Sequence, residues 1–154
     1  MAENKRLVET ERRFIEDVAR LMVPSGVPPT AARLYGYLLL SAEPLSLDRI
    51  TFDLEVSKSS ASVAARLLEK YTLARRYGER GSKRALYEVS DNYEQMLTEQ
   101  SRLLQALADQ LKAGVSIAAS DTVRNRLKEM VEFYLATRQM MESALQHWHT
   151  RRQS

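Results

Sequence analysis

The sequence predicts a mostly α-helical protein with one small β-hairpin: a winged helix-turn-helix with long helices at both ends. Residues 46–70 have the pattern of a short helix, a tight turn and a second helix. Residues 73–89 hold two runs of period-two alternation separated by glycines, which is typical of a hairpin. Residues 91–154 carry long apolar stripes at helical spacing and contain a single glycine and no proline.

Two helices are predicted before the helix-turn-helix. Apolar residues recur at helical spacing over residues 3–22, and the segment from Pro24 to Pro29 ends that helix because proline cannot donate a helical hydrogen bond. Thr30 is the expected N-cap of the second helix, which is apolar around much of its circumference and should lie at the centre of the small domain. Glu43 and Pro44 end it.

The next segment predicts a short helix that begins after Ser46 and buries Leu47, Ile50 and either Phe52 or Leu54. A second helix follows, with Ser57 as its expected N-cap.

One face of this second helix is small and apolar, and it consists of Ala61, Ala64, Ala65 and Leu68. The other face carries cations and short polar side chains, the types that reach phosphates and base edges. Its members are Lys58, Ser59, Ser62, Val63 and Arg66. Taken alone, this helix could equally be a solvated surface helix, but the hairpin that follows favours nucleic-acid binding.

The predicted hairpin has a basic tip. Gly78 and Gly81 allow a tight turn, and Arg80, Lys83 and Arg84 place charge on it. Residues 56–86 hold eight lysines and arginines against two glutamates, a local balance of +6, whereas the whole chain carries +3. Such concentrated positive charge is the electrostatic pattern expected for binding a phosphate backbone.

Two helices are predicted after the hairpin. The first runs from Ser90 to Leu111, with Gly114 as the expected break, and the last begins at Ser120 or Asp121. Their stripes are too long to be buried against a small domain alone, so we expect a partner subunit to cover them. An intramolecular helical hairpin is the alternative.

Two stretches carry a resemblance to a known family. They read P-P-T-A-A-R-L-Y-G-Y-L-L-L-S-A-E-P-L-S-L-D-R-I and L-E-V-S-K-S-S-A-S-V-A-A-R-L-L-E-K-Y. Over about residues 20–90 the chain resembles the MarR superfamily, and most closely its GbsR branch. The resemblance implies a dimeric bacterial transcription regulator that represses transport genes until a small effector binds. Thr72 departs from the family pattern, which has glycine there, and Val63 and Ala65 replace residues that are often polar or larger.

These observations predict a homodimeric, sequence-specific regulator that binds double-stranded DNA. The resemblance further implies repression that is released by a small organic effector, with transport, efflux or osmolyte-uptake genes as the expected targets. We expect residues 1–22 to form an N-terminal dimerisation arm, 23–90 the DNA-binding domain, and 91–154 a C-terminal dimerisation region. The predicted DNA contacts are Ser57, Lys58, Ser59, Ser60, Ser62, Val63, Arg66, Arg80, Lys83 and Arg84. The alternative is a helical protein-interaction adaptor that no longer binds DNA, against which the charge balance argues.

The effector site is predicted from methionine and aromatic residues, which can line an adaptable apolar cavity. The candidates are Met22, Tyr35, Met96, Met130 and Tyr134. Methionines at such positions also commonly fill cores, so both interpretations stay open.

Other functions find little support in the sequence. His147 and His149 point to different faces of a helix, and the chain has no further histidine and no cysteine, so we expect no metal site. No nucleophile–base motif or phosphate-binding glycine loop is present, so neither catalysis nor a cofactor is expected. No apolar run approaches the length of a membrane span, and the N-terminus is charged from Glu3 onward, so we expect a cytoplasmic protein without a membrane partner.

Overall fold

The computed structural model describes residues 6–78, 81 and 83–154, and these divide into two compact units with a boundary between Asn92 and Tyr93. The first unit contains α1 (Glu9–Met22), a short 3₁₀ turn (Val23–Ser25), α2 (Pro29–Leu39), β1 (Leu45–Ser46), α3 (Leu47–Leu54), α4 (Lys58–Lys70), β2 (Ala74–Gly78) and β3 (Ala85–Val89). The second contains α5 (Tyr93–Ile117) and α6 (Asp121–Gln153). The predicted fold class, a mostly helical winged helix-turn-helix, is therefore confirmed.

Three predicted helix starts were wrong, and one of them is that of α5, which begins at Tyr93 rather than at Ser90. Helix α1 begins at Glu9 rather than at residue 3, because the Glu11 carboxylate accepts the Val8 backbone N–H at 2.9 Å and ends the extended segment there; residues 1–5 lie outside the described part of the chain. Helix α2 begins at Pro29, one residue before the expected cap Thr30. The fixed φ of proline suits the first helical position, where its missing N–H costs nothing.

Helix α2 lies at the centre of the first unit, as its sequence predicted. Its Leu34 and Leu38 side chains are fully buried, and they belong to one core with Ile15 of α1, Ile50 of α3 and Leu68 of α4. In α3 it is Leu54, 3% exposed, that enters the core, whereas Phe52 is 49% exposed. The amphipathic faces of α1, α3 and α4 thus converge on α2.

The sheet has three antiparallel strands in the order β1–β3–β2, one more strand than the sequence predicted. The hairpin pairs Ala74 with Val89 and Gly78 with Ala85. The two-residue β1 pairs Leu45 with Tyr87. This extra pairing ties the start of α3 to the hairpin.

A buried polar network joins α2 to α3. Asp53 is 4% exposed, and its Oδ2 accepts hydrogen bonds from the Tyr37 hydroxyl and from Arg49 Nε, the latter at 2.6 Å. Burial and the bond to Asp53 raise the pKa of Tyr37 above its ordinary value, so the phenol stays a proton donor. The other oxygen, Asp53 Oδ1, is buried with no hydrogen-bond partner among the described residues. A buried carboxylate with few donors depends strongly on each of them.

We therefore expect Tyr37→Phe to lower the free energy of unfolding by about 1–3 kcal/mol, because a buried carboxylate loses one of its donors. Urea denaturation followed by far-ultraviolet circular dichroism measures this. Tyr71→Phe, at a ring that is 45% exposed, is the matched control and should change stability little. Equal effects of the two substitutions would show that the network contributes nothing specific.

Helix α4 ends in a Schellman motif with an unusual residue. The Leu73 N–H bonds to the Leu68 carbonyl at 2.9 Å and the Thr72 N–H bonds to the Glu69 carbonyl at 3.0 Å. This pattern requires a left-handed residue at the position after the cap, normally glycine. Thr72 occupies it with φ of 62°, so a β-branched side chain stands in a conformation that costs about 1–2 kcal/mol.

Thr72→Gly should raise the free energy of unfolding by about 0.5–1 kcal/mol, since relief of the left-handed strain exceeds the entropy that glycine adds to the unfolded chain. Thr72→Ala is the control: it removes the hydroxyl but keeps Cβ, and should bring no such gain. Thermal unfolding compares the three proteins. A glycine variant no more stable than the alanine variant would contradict the expectation.

The second unit is a helical hairpin, in which α5 packs along α6. The predicted break at Gly114 was wrong: α5 continues to Ile117, and α6 begins at Asp121, capped as expected by Ser120, whose hydroxyl accepts the Val123 N–H at 3.3 Å. A Cβ on Gly114 would lie 3.1 Å from Leu127 Cδ1. The glycine therefore serves close helix packing within the hairpin rather than chain reversal.

The apolar stripe predicted on α5 divides between two faces. Leu104 shares the inner face with Ser101 and Ala108, both buried, because these residues are three and four positions away. Leu103 and Leu107 are 59% and 40% exposed within the same hairpin. The intramolecular hairpin that the sequence left as an alternative thus accounts for the inner face, and other apolar residues stay outside it.

Candidate nucleic-acid interface

Local hydrogen bonds fix the helix-turn-helix, as the two predicted caps required. The Ser46 hydroxyl accepts the Arg49 N–H at 3.2 Å at the start of α3, and the Ser57 hydroxyl accepts the Ser60 N–H at 3.1 Å at the start of α4. Between the helices Glu55 takes the left-handed conformation with φ of 55°. These caps set where α4 begins and therefore which of its residues face outward.

The inner face of α4 is the predicted one: Ala61, Ala64, Ala65 and Leu68 are all between 0% and 3% exposed. At about 100° per residue, the row diametrically opposite contains Ser59, Val63, Arg66 and Lys70. All four of these residues are exposed. Small alanines allow close packing inward, so the helix presents this outer row as a ridge.

The serines at the N-terminus of α4 do not all share one role. Ser57 Oγ lies 2.8 Å from Ser60 Oγ and 3.2 Å from Ser59 Oγ. The Ser57 and Ser60 hydroxyls thus serve the helix end, whereas Ser62 lies one turn further on, at the edge of a groove beside the hairpin. Ser57 and Ser60 therefore have a structural role at the N-terminus of α4, and the predicted contacts with DNA would be a second role for them.

An open groove of about 640 Å³ runs between α4, the start of α3 and the hairpin. It is lined by five cationic side chains, namely Lys58, Arg66, Arg76, Lys83 and Arg84, and by two acidic ones, Asp48 and Glu69. The excess of positive charge along one continuous surface suits a phosphate backbone. Four of these cations were predicted to bind DNA; Arg76 was left uncertain, and Arg80 lies outside the described residues.

The hairpin sends Arg75 and Arg76 to opposite faces. Arg75 Nε lies 2.5 Å from Glu88 Oε1, and Arg75 Nη1 lies 3.2 Å from Asp91 Oδ1. The pKa of Arg75 is raised, mainly because of the hydrogen bond to Glu88. Arg76 instead lines the groove beside α4. Strand alternation predicted that the two arginines point to opposite faces of the hairpin. Only the fold shows that Arg76, and not Arg75, points toward α4.

Asp48 lies between α4 and the hairpin, and its place there was not predicted from the sequence. Its carboxylate lies 3.4 Å from Lys58 Nζ and 3.8 Å from Arg84 Nη2. All three side chains are more than half exposed, so these pairs contribute little stability. They nevertheless hold two cations from different elements near one point. Asp48 precedes the basic segment of residues 56–86, so the local charge pattern gave no sign that it would lie among these cations.

The predicted effector residues lie in both units. Met22 and Tyr35 belong to the first unit, and Met96, Met130 and Tyr134 to the second. In the second unit Leu97 shares a small cavity with Leu145 and Trp148, whereas Gly114 lies against Leu127. Met96 and Met130 are therefore separated by roughly 20 Å along the hairpin of one chain. The pocket assignment stays a prediction.

The described residues show neither a metal-binding cluster nor a membrane-spanning helix. Within residues 6–78, 81 and 83–154, no group of three or more histidine, cysteine, aspartate or glutamate side chains could hold a metal ion. His149 Nε2 lies 2.9 Å from Gln153 Nε2 on the same helix. In the same part of the chain, no helix combines the length and the apolar character needed to cross a bilayer.

Comparisons with known proteins find similarity to transcription regulators. The family model for MmpR5-like MarR family transcriptional regulators matches residues 91–151, the region of α5 and α6. The chain is 30% identical over 87 residues to the HTH-type transcriptional regulator YvaV of Bacillus subtilis (strain 168), covering 56% of this chain and 49% of that protein. It is 28% identical over 85 residues to the HTH-type transcriptional repressor OpcR of the same organism, covering 55% and 46%. The chain thus spans about half the length of these curated relatives.

A solved structure described as that of a transcriptional regulator superposes with a TM-score of 0.80 over 92% of this chain and 99% of its own, at 22% identity. At that identity the likeness establishes the fold. The structure shares the fold of that regulator, and the proteins that the sequence matches are described as MarR family or HTH-type transcriptional regulators. None of these descriptions names an enzymatic activity.

Proposed function

We propose that this protein is a sequence-specific regulator that binds double-stranded DNA as a homodimer, with α4 in the major groove and the hairpin beside it. The groove of lysine and arginine side chains next to the outer row of α4 is the observation that carries the proposal. A helix bearing short polar side chains and cations can read base edges, while flanking cations neutralise phosphates. The alternative function, a protein-interaction adaptor that does not bind DNA, does not explain this concentration of positive charge.

The salt dependence of binding tests the interface. Lys83→Ala combined with Arg84→Ala should weaken binding to every duplex and reduce the slope of log affinity against log salt by about 1.8, because each lost phosphate contact contributes about 0.9. Fluorescence anisotropy on random-sequence and genomic fragments at several salt concentrations gives both quantities.

Lys112→Ala with Arg126→Ala, an equal loss of charge at two exposed positions in the second unit, is the control and should leave the slope unchanged. If both double variants reduce the slope equally, net charge and not the groove determines binding. Failure of the unmodified protein to bind any duplex would favour the adaptor.

Dimerisation is proposed from apolar side chains that the helical hairpin leaves exposed. On α6, Phe133 and Met140 are 66% and 75% exposed, and on α5, Leu103 and Ile117 are 59% and 84% exposed. Monomeric proteins rarely expose so many large apolar residues on two neighbouring helices. A second copy of the chain would bury them, and a two-fold dimer would place two recognition helices about 34–36 Å apart, one turn of DNA.

Leu103→Glu combined with Leu107→Glu should shift the protein to monomers and reduce operator affinity strongly, because two carboxylates would be buried at the subunit contact. Light scattering and anisotropy measure the two effects. Ser116→Glu with Gln146→Glu adds the same charge at exposed polar positions that lie away from the Leu103–Leu107 row of α5 and from the Phe133–Met140 row of α6, and serves as the control. A leucine double variant that remains dimeric would show that α5 does not form the contact.

Repression, its release by a small organic effector, transport or osmolyte-uptake targets, the GbsR-like branch and a cytoplasmic location remain parts of this proposal. Support for repression comes from OpcR, which is described as a repressor. The match to this chain covers about half of the length of OpcR. An effector acts only through its difference in affinity for two states of the protein, so operator DNA must weaken its binding by the same factor. The rest follows from the family resemblance.

A further inference from the structure

We propose that Val63 reads the 5-methyl group of a thymine in the major groove; this inference rests on the proposed DNA-binding function. Val63 is 67% exposed, and within α4, all of whose residues the structure describes, it is the one exposed apolar side chain larger than alanine. It stands in the middle of a helix whose remaining exposed side chains are polar or charged.

The position of Val63 on the helix carries the argument. The four buried residues of α4 centre on one direction, and Val63 lies close to the diametrically opposite one, between Ser59 one turn before and Arg66 one turn after. A recognition helix approaches the base edges with this outermost row. Val63 would therefore meet the floor of the groove, whereas Arg66 and Lys70 have the length to reach phosphates.

Neighbouring side chains would let Val63 approach the bases closely. Ser59 is short, and its hydroxyl is already 3.2 Å from that of Ser57, so it neither blocks the approach nor depends on a base for a partner. Valine in a helix holds essentially one side-chain rotamer, so its methyl groups are fixed before binding and little entropy is lost on contact. The site is thus preorganised for an apolar target.

Only one apolar target is available on the major-groove edges of the four bases. Guanine, cytosine and adenine present hydrogen-bond donors and acceptors there, while thymine adds the 5-methyl group. A valine placed against a polar edge would leave base donors or acceptors without partners, which costs affinity. Contact with a thymine methyl instead removes apolar surface of both partners from water. The chemistry of Val63 therefore favours a T·A pair at the base step that it faces.

Replacing single thymines by deoxyuridine tests the inference, since this removes the methyl group and nothing else. The probe is a duplex selected from random-sequence DNA by the unmodified full-length protein. Each thymine is replaced in turn, and affinity is measured for the unmodified protein, for Val63→Ala and for Val123→Ala. The last variant removes the same two methyl groups from a 36% exposed valine of α6 and is the matched control.

We expect one thymine in each half-site whose replacement weakens binding of the unmodified protein and of Val123→Ala by about three- to tenfold, the effect of one or two buried methyl groups. Val63→Ala should bind the unmodified duplex correspondingly more weakly and should show no further loss with deoxyuridine at that position. Thermal unfolding of Val63→Ala should match that of the unmodified protein, because the side chain is exposed.

Equal losses for all three proteins at every thymine, or no effect of Val63→Ala on affinity, would overturn the inference and make Val63 an ordinary surface residue, while DNA binding itself would stand. If the unmodified protein selects no duplex at all, the proposed function fails and the Val63 inference fails with it. The two failures are therefore distinguishable in one set of measurements.

Discussion

The close packing of α4 through its alanine face is the constraint on which the candidate interface depends. Three alanines and one leucine bring this helix against the core built around α2, and no larger side chain would allow the same approach. Once this face is fixed inward, the rotation of the helix is fixed as well. The outer row, and with it every side chain of α4 that is proposed to meet DNA, follows from that single rotation.

Two further elements hold α4 in position within the first unit. The Tyr37–Asp53–Arg49 network joins α2 to α3, the helix that precedes the turn, and β1 joins the start of α3 to the hairpin. Asp48 then bridges toward both Lys58 of α4 and Arg84 of the hairpin. Cations from distant parts of the sequence thus line one groove because the buried network and the pairing of β1 with β3 fix the elements that carry them.

The second unit buries only part of its apolar side chains. Its inner face is packed within the hairpin around small residues such as Ala108 and Gly114, whereas Phe133 and Met140 remain exposed. The division follows from geometry, because a long helix with a wide apolar stripe can turn only part of it toward one neighbour. Exposure of the remainder is the physical basis for proposing a second subunit.

The sequence by itself determined the features that depend on near neighbours along the chain. The caps at Ser46, Ser57 and Ser120, the apolar face of α4 and the charge concentrated in residues 56–86 could all be predicted, because capping and helical periodicity act over a few residues. The starts of α1, α2 and α5 and the end of α5 were missed, since several local signals compete there and boundaries are decided by small energies.

Only the tertiary structure decided which side chains share a surface. It separated Arg76, in the groove, from Arg75, paired with Glu88; it brought Asp48 between Lys58 and Arg84; and it placed Thr72 in a left-handed cap. These relations join residues far apart in sequence or depend on the register of strands, and no periodicity within one segment contains them. The residue types of the candidate site were therefore legible in the chain, whereas their arrangement is a property of the packed fold.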